Sequence, residues 1–98
     1  MTEAQIQRAC LDALHRLGIT CWRDQAGTAR GGRTHLSPPG TPDIIGYLPG
    51  GRMLAIEVKT ALGSVSQEQT NWLRHAHSQG VLCGIVRSAE EAIDLVDL

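Results

Sequence analysis

This chain has no apolar run near the ~20 residues that a membrane-crossing helix needs, and no basic segment followed by an apolar one at its N-terminus. Those absences argue against a helical membrane protein and leave a cytoplasmic one as the expectation. Cysteine is scarce. Cys10, Cys21 and Cys83 are odd in number, stand singly in apolar stretches and form no CxxC pair. A disulfide framework is set aside, and all three read as reduced core residues. Several catalytic frameworks are missing as well. There is no GxSxG elbow, no GxxxxGK[ST] loop and no HExxH, and the segment from Gly27 to Gly32 lacks both the GxGxxG spacing and a following helix signal. A hydrolase working through a metal and water needs none of these parts, only acids and a base.

A basic excess is also absent: nine Lys and Arg face ten Asp and Glu, for a net charge of −1. Taken alone, that balance argues against a nucleic-acid protein. The distribution softens the objection, because residues 1–87 hold all nine bases against six acids, while the last eleven residues hold four acids and no base. Arg outnumbers Lys eight to one, and Arg is the better fork for phosphate. With 98 residues, 42% hydrophobic and 19% charged, the chain is expected to make one soluble domain around a single core.

The stretch from Gly40 to Thr60 reads as two apolar strands joined by a Pro49-Gly50-Gly51 turn. Asp43, Glu57 and Lys59 sit where strands usually carry apolar residues. On the second strand Leu54, Ile56 and Val58 point one way, and Met53, Ala55, Glu57 and Lys59 the other. The turn decides where Asp43 goes. A three-residue loop at Pro49, Gly50 and Gly51 sets Asp43 opposite Glu57, whereas a two-residue Gly50-Gly51 loop sends it to the face of Val58. The first register brings two carboxylates within roughly 5 Å at Cβ with an ammonium beside them. Such carboxylates repel each other and invite a hard divalent cation. A plain alternative is a solvent-exposed strand face with a cross-strand ion pair.

Elsewhere, Thr2 with Gln5 is a capping box, and Ile6, Ala9, Cys10, Ala13, Leu14 and Leu17 follow at helical spacing up to Gly18. Extending that stripe back by a turn reaches Glu3, whose carboxylate lies at the edge of the buried face and suits the positive end of the helix dipole. A short strand spans Ile19 to Asp24. Residues 25–39 show no periodicity, and a loop of that length is usually functional or disordered. Arg30, Arg33 and His35 among its glycines suit phosphate contact, or else are incidental on a solvated loop. Ser66 with Gln69 opens a second helix burying Trp72, Leu73 and Ala76, and Gln69 lies on that buried stripe. The apolar run from Val81 to Val86 reads as a strand covered on both faces and parallel to its neighbour. A further capping box at Ser88 and Glu91 starts a last helix with Ala92, Ile93 and Val96 inward, leaving Leu95 and Leu98 as spare apolar surface.

Pro42-Asp43, thirteen residues, then Glu57-Val58-Lys59 resembles the PD-(D/E)xK nuclease superfamily. With Thr60 and the Ser66-Gln67-Glu68-Gln69-Thr70-Asn71-Trp72 helix start, the chain looks like the VRR-NUC branch, the virus-type replication-repair nuclease domain, in its minimal stand-alone form. The resemblance implies an α/β fold with a restriction-endonuclease-like core, order αβββαβα, and a four-stranded mixed sheet flanked by helices, one nuclease domain over residues 1–98. It implies that Asp43 and Glu57, with the backbone carbonyl of Val58 and the first-helix acid Glu3, hold Mg²⁺ or Mn²⁺. Lys59 would position or activate the attacking water, and Gln69 would lie near the scissile phosphate. The implied activity is a DNA endonuclease, structure-selective on branched DNA such as Holliday junctions, acting as a homodimer in a bacterial or phage-infected cell. The rival reading is a non-catalytic nucleic-acid-binding module that keeps the fold without turnover.

Overall fold

The computed structural model describes residues 1–24 and 37–97. Along the chain run helix α1 (Glu3–Arg16), strands β1 (Thr20–Arg23), β2 (Ile44–Tyr47) and β3 (Met53–Val58), helix α2 (Gln67–Ser78), strand β4 (Leu82–Val86) and helix α3 (Ala89–Val96). The four strands make one sheet in the order β1-β2-β3-β4. The first two pairings are antiparallel, β2-β3 through a tight turn, and β3-β4 is parallel, because only a crossover, here α2, can return the chain to a parallel neighbour.

Helix starts follow local chemistry. The Thr2 hydroxyl accepts from the Gln5 N–H, and the Gln5 side chain accepts in return from the Thr2 N–H; Ser66 and Gln69 repeat the exchange at α2. At α3 the second half of the expected box does not form. Ser88 accepts from the Glu91 N–H, but Glu91 Oε1 accepts from the N–H of Arg87 at 2.7 Å. Ser88 is more extended than the other two caps, with φ −160° against −76°, which turns its own N–H out of reach.

The hairpin adopts the three-residue loop. Leu48 N–H donates to Arg52 O at 2.9 Å across Pro49, Gly50 and Gly51, and the two glycines take φ of 97° and 98°, a region closed to most side chains. Ile44 pairs with Ile56, Ile45 with Ala55, Gly46 with Leu54 and Tyr47 with Met53, so one step further along the register Asp43 stands across from Glu57.

On one face of the sheet Cys21, Ile44, Leu54, Ile56, Val58, Leu82 and Val86 pack with Ile6, Cys10, Leu14 and Ala92 of α1 and α3. Each fully buried large aliphatic side chain contributes roughly 1.5–3 kcal/mol. Helix α2 lies on the other face against β4, where the Cys83 thiol reaches Leu73 O. Cover of β4 is incomplete, contrary to the pattern of its apolar run: Ile85 remains 38% exposed, because β4 is the sheet edge and α2 does not span it. Leu95 is not spare surface either. It packs on the core, over Gly84; Leu98 lies outside the described residues.

Candidate active site

Asp43 leads directly into β2 and is clamped by its neighbours. Its Oδ2 accepts the Val58 N–H at 2.8 Å, and its main-chain carbonyl accepts the Asp24 N–H at 2.6 Å. Asp24 in turn accepts the Ser37 hydroxyl at 2.7 Å. Bonds from both flanking strands leave Asp43 little freedom to turn away from β3.

Glu57 is the one buried charged residue among those described, 2% exposed. Its Oε2 accepts Gln69 Nε2 at 2.9 Å and lies 3.5 Å from Lys59 Nζ. Its Oε1 is buried and has no hydrogen-bond partner among the described residues. Burial, reinforced by the charge of Asp43 and opposed by Lys59, pushes the Glu57 carboxyl up to about 8. A buried acceptor without a donor is costly, and a cation or a proton is what relieves it. The plain alternative of an exposed face with a cross-strand pair does not hold: Glu57 is buried, and its partner Lys59 is two residues along the same chain.

Glu3, from the first turn of α1, completes the cluster. Carboxylate oxygens of Glu3, Asp43 and Glu57 lie within 4.8 Å of one another, a hard-oxygen donor set of the type that Mg²⁺ and Mn²⁺ take. Glu3 is also the first-turn acid of α1, so one residue both meets the helix dipole and stands beside the two carboxylates. The same holds for Gln69. One end of its amide closes the capping box and the other holds Glu57.

Two residues escaped sequence reasoning. Gly40 has φ 85°, and a Cβ there would stand 2.5 Å from Glu68 O and 2.8 Å from Glu68 C. The first turn of α2 therefore presses on the backbone just before Asp43, which is how Gln69 is delivered to Glu57. The Pro38-Pro39-Gly40 run signals a turn, but not what packs on it. Gly40→Ala is expected to cost at least about 1 kcal/mol from left-handed strain and more from displacement of α2; urea unfolding that matches the parent would show that α2 has room to move. The second residue is Arg87, whose Nη1 donates to Thr60 O at 2.5 Å and Gly63 O at 2.9 Å. It pins the turn that follows Lys59 from a distance of more than twenty residues in sequence. Arg30, Arg33 and His35 lie outside the described residues.

The family model of the VRR-NUC domain matches residues 1–90. The chain belongs to the VRR-NUC domain family. A solved structure titled "VRR_NUC domain" has the same fold, with a TM-score of 0.71 and 20% identity over 99% of this chain and 96% of the other. No curated protein matches the chain. VRR-NUC is a nuclease family, which makes nucleic acid the substrate class, and in this VRR-NUC chain the acidic cluster gathers from the first turn of α1, the start of β2 and the end of β3.

Within the VRR-NUC frame the two roles of Gln69 are separable. Glu serves as well as Gln at the third position of a capping box, so Gln69→Glu is expected to keep α2 while placing a like charge against Glu57. The metal-free melting temperature should drop by several degrees at pH 8, corresponding to about 1 kcal/mol in a domain this small, and by less at pH 5. A uniform drop at both values would mean that only capping was lost.

Proposed function

We propose that this chain is a metal-dependent DNA endonuclease that hydrolyses phosphodiester bonds, selective for branched DNA such as four-way junctions. The observation that carries the reading is the buried, unpartnered Glu57 Oε1 within a cluster of carboxylates with Lys59 alongside. Those donors fit a hard divalent cation, Mg²⁺ or Mn²⁺, held by Glu3, Asp43 and Glu57 with the backbone carbonyl of Val58. When bound, such an ion supplies Lewis-acid polarisation of the phosphate. The remaining work falls to the chain. Asp43 is held in place by the N–H groups of Val58 and Asp24. Gln69 fixes the orientation of the Glu57 carboxyl, leaving Oε1 free for the ion. Lys59 orients the attacking water and stabilises charge that develops on the phosphoryl oxygens.

Arg30, Arg33 and His35 are proposed as phosphate contacts. Replacing both arginines with alanine is expected to weaken DNA binding and flatten its dependence on salt; an unchanged salt slope removes them from the interface. Two copies of the chain would double that contribution on a roughly two-fold junction, since specific DNA interfaces commonly bury on the order of 1,000 Å² or more. Incubating purified protein with labelled junction and linear duplex, with and without Mn²⁺, tests the reading. Metal-dependent cutting that favours the junction supports it, and no cutting of either substrate overturns it. Light scattering at micromolar concentration tests the dimer.

A further inference from the structure

The sheet face that carries Glu57 continues away from the carboxylates into an exposed apolar surface. Trp22 is 49% exposed, Tyr47 48% and Met53 39%. The register makes them contiguous. Trp22 pairs with Ile45, which pairs with Ala55, while Thr20 pairs with Tyr47, which pairs with Met53. Trp22 and Tyr47 are thus diagonal neighbours across adjacent strands, about 7–8 Å apart. Asp43, two residues before Ile45, is the diagonal neighbour of Trp22 on the other side. The patch begins one step from the acidic cluster.

Three features decide what such a patch takes. The chain has only three aromatic residues, and two of them stand half-exposed here instead of filling the core. Thr20, Trp22, Ile45, Tyr47 and Met53 carry no charge, so the surface suits a base and not a phosphate. The patch adjoins Asp43, so an occupant that is part of the substrate itself is the one that sits there together with a phosphodiester at the carboxylates. In duplex DNA the base faces are already stacked on one another, which leaves an unpaired base as the ligand.

We propose that Trp22 and Tyr47 form a stacking platform for one or two unpaired bases of the strand whose phosphodiester lies at Glu57. The proposal rests on the nuclease reading above and deepens it: a branch with a single-stranded or opened segment is preferred to continuous duplex because only there are base faces free.

The test reads binding, not cleavage. A labelled oligothymidylate and an abasic strand of equal length and charge are titrated by fluorescence anisotropy in EDTA. The parent protein is expected to bind the base-bearing strand roughly tenfold more tightly. Trp22→Ala should erase that ratio, and Trp22→Phe, which keeps a ring, should restore most of it. A parent that binds both strands alike or neither, or a ratio that survives Trp22→Ala, overturns the platform. So does a Trp22→Ala variant that turns a dimer into a monomer by light scattering with the ratio unchanged, which would make the patch an interface between copies. A parent that shows the ratio but cuts nothing with Mn²⁺ keeps the platform and removes the nuclease reading; one that cuts without the ratio does the reverse.

Discussion

Replacing Lys59 with alanine is expected to slow phosphodiester cleavage by roughly 10²–10³-fold, the range for losing one group that stabilises developing charge, with the fold and metal binding retained. The geometry separates these quantities. The Lys59 backbone N–H donates to Val86 O at 3.0 Å whatever the side chain, so the β3-β4 ladder survives. The proposed metal ligands Glu3, Asp43 and Glu57 remain in place. Lys59 also pulls the Glu57 carboxyl downward against burial, so its loss should shift metal binding to somewhat higher pH without abolishing it. Single-turnover cleavage of a labelled junction, alongside calorimetric titration with Mn²⁺, checks both halves. Parental rates would remove Lys59 from the chemistry, and loss of Mn²⁺ binding together with cleavage would make its role structural.

Glu57→Gln should have the opposite profile: no response to metal, and greater stability of the metal-free protein at neutral and alkaline pH. In the metal-free fold Glu57 is raised to about 8 from an ordinary value of 4.5. The folded chain therefore holds a proton that the unfolded chain gives up, and stability is full below about 4.5 and declines as pH rises through about 8. Metal-free parental protein should accordingly melt at lower temperature at pH 8 than at pH 5, and the Gln variant should lack that decline. Mn²⁺ should restore the parental protein at pH 8, because an ion that binds only the native state stabilises it by mass action. Melting curves in EDTA and in excess Mn²⁺ across this pH range decide the point. Identical pH profiles for parent and variant would show that Glu57 titrates as an ordinary surface acid.

Much of the site was legible because it is written in short-range geometry. Side chains alternate along a strand, and the length of a glycine turn sets the register of a hairpin. Pro49, Gly50 and Gly51 therefore narrowed Asp43 to two registers, of which the structure adopts the one that sets it across from Glu57. Ser66 and Gln69 announced the start of α2 in the same way. Short-range geometry is silent wherever a neighbour remote in sequence decides the outcome. An apolar run shows that a strand is buried, but not that it sits at a sheet edge, so the exposure of Ile85 was missed. Leu95 looked unclaimed until β4 brought Gly84 beneath it.

Local propensity and alternation thus determined the elements and their order and narrowed the hairpin to two parities, since each depends on residues a few positions apart; the packed hairpin chose the parity that puts the carboxylates on one side. Only the tertiary structure decided how those carboxylates behave. Glu57 is driven up by burial, and burial is a property of the packed sheet and of α2, not of the ExK spacing. Its unpartnered oxygen, its bond from Gln69, the approach of Glu3 from α1 and the clasp of Arg87 on the Thr60 turn all arise from segments distant in the chain. The same holds for the aromatic patch: Trp22 and Tyr47 read as ordinary strand residues until the β1-β2 register sets them side by side, one step from Asp43, on the face that α2 leaves open.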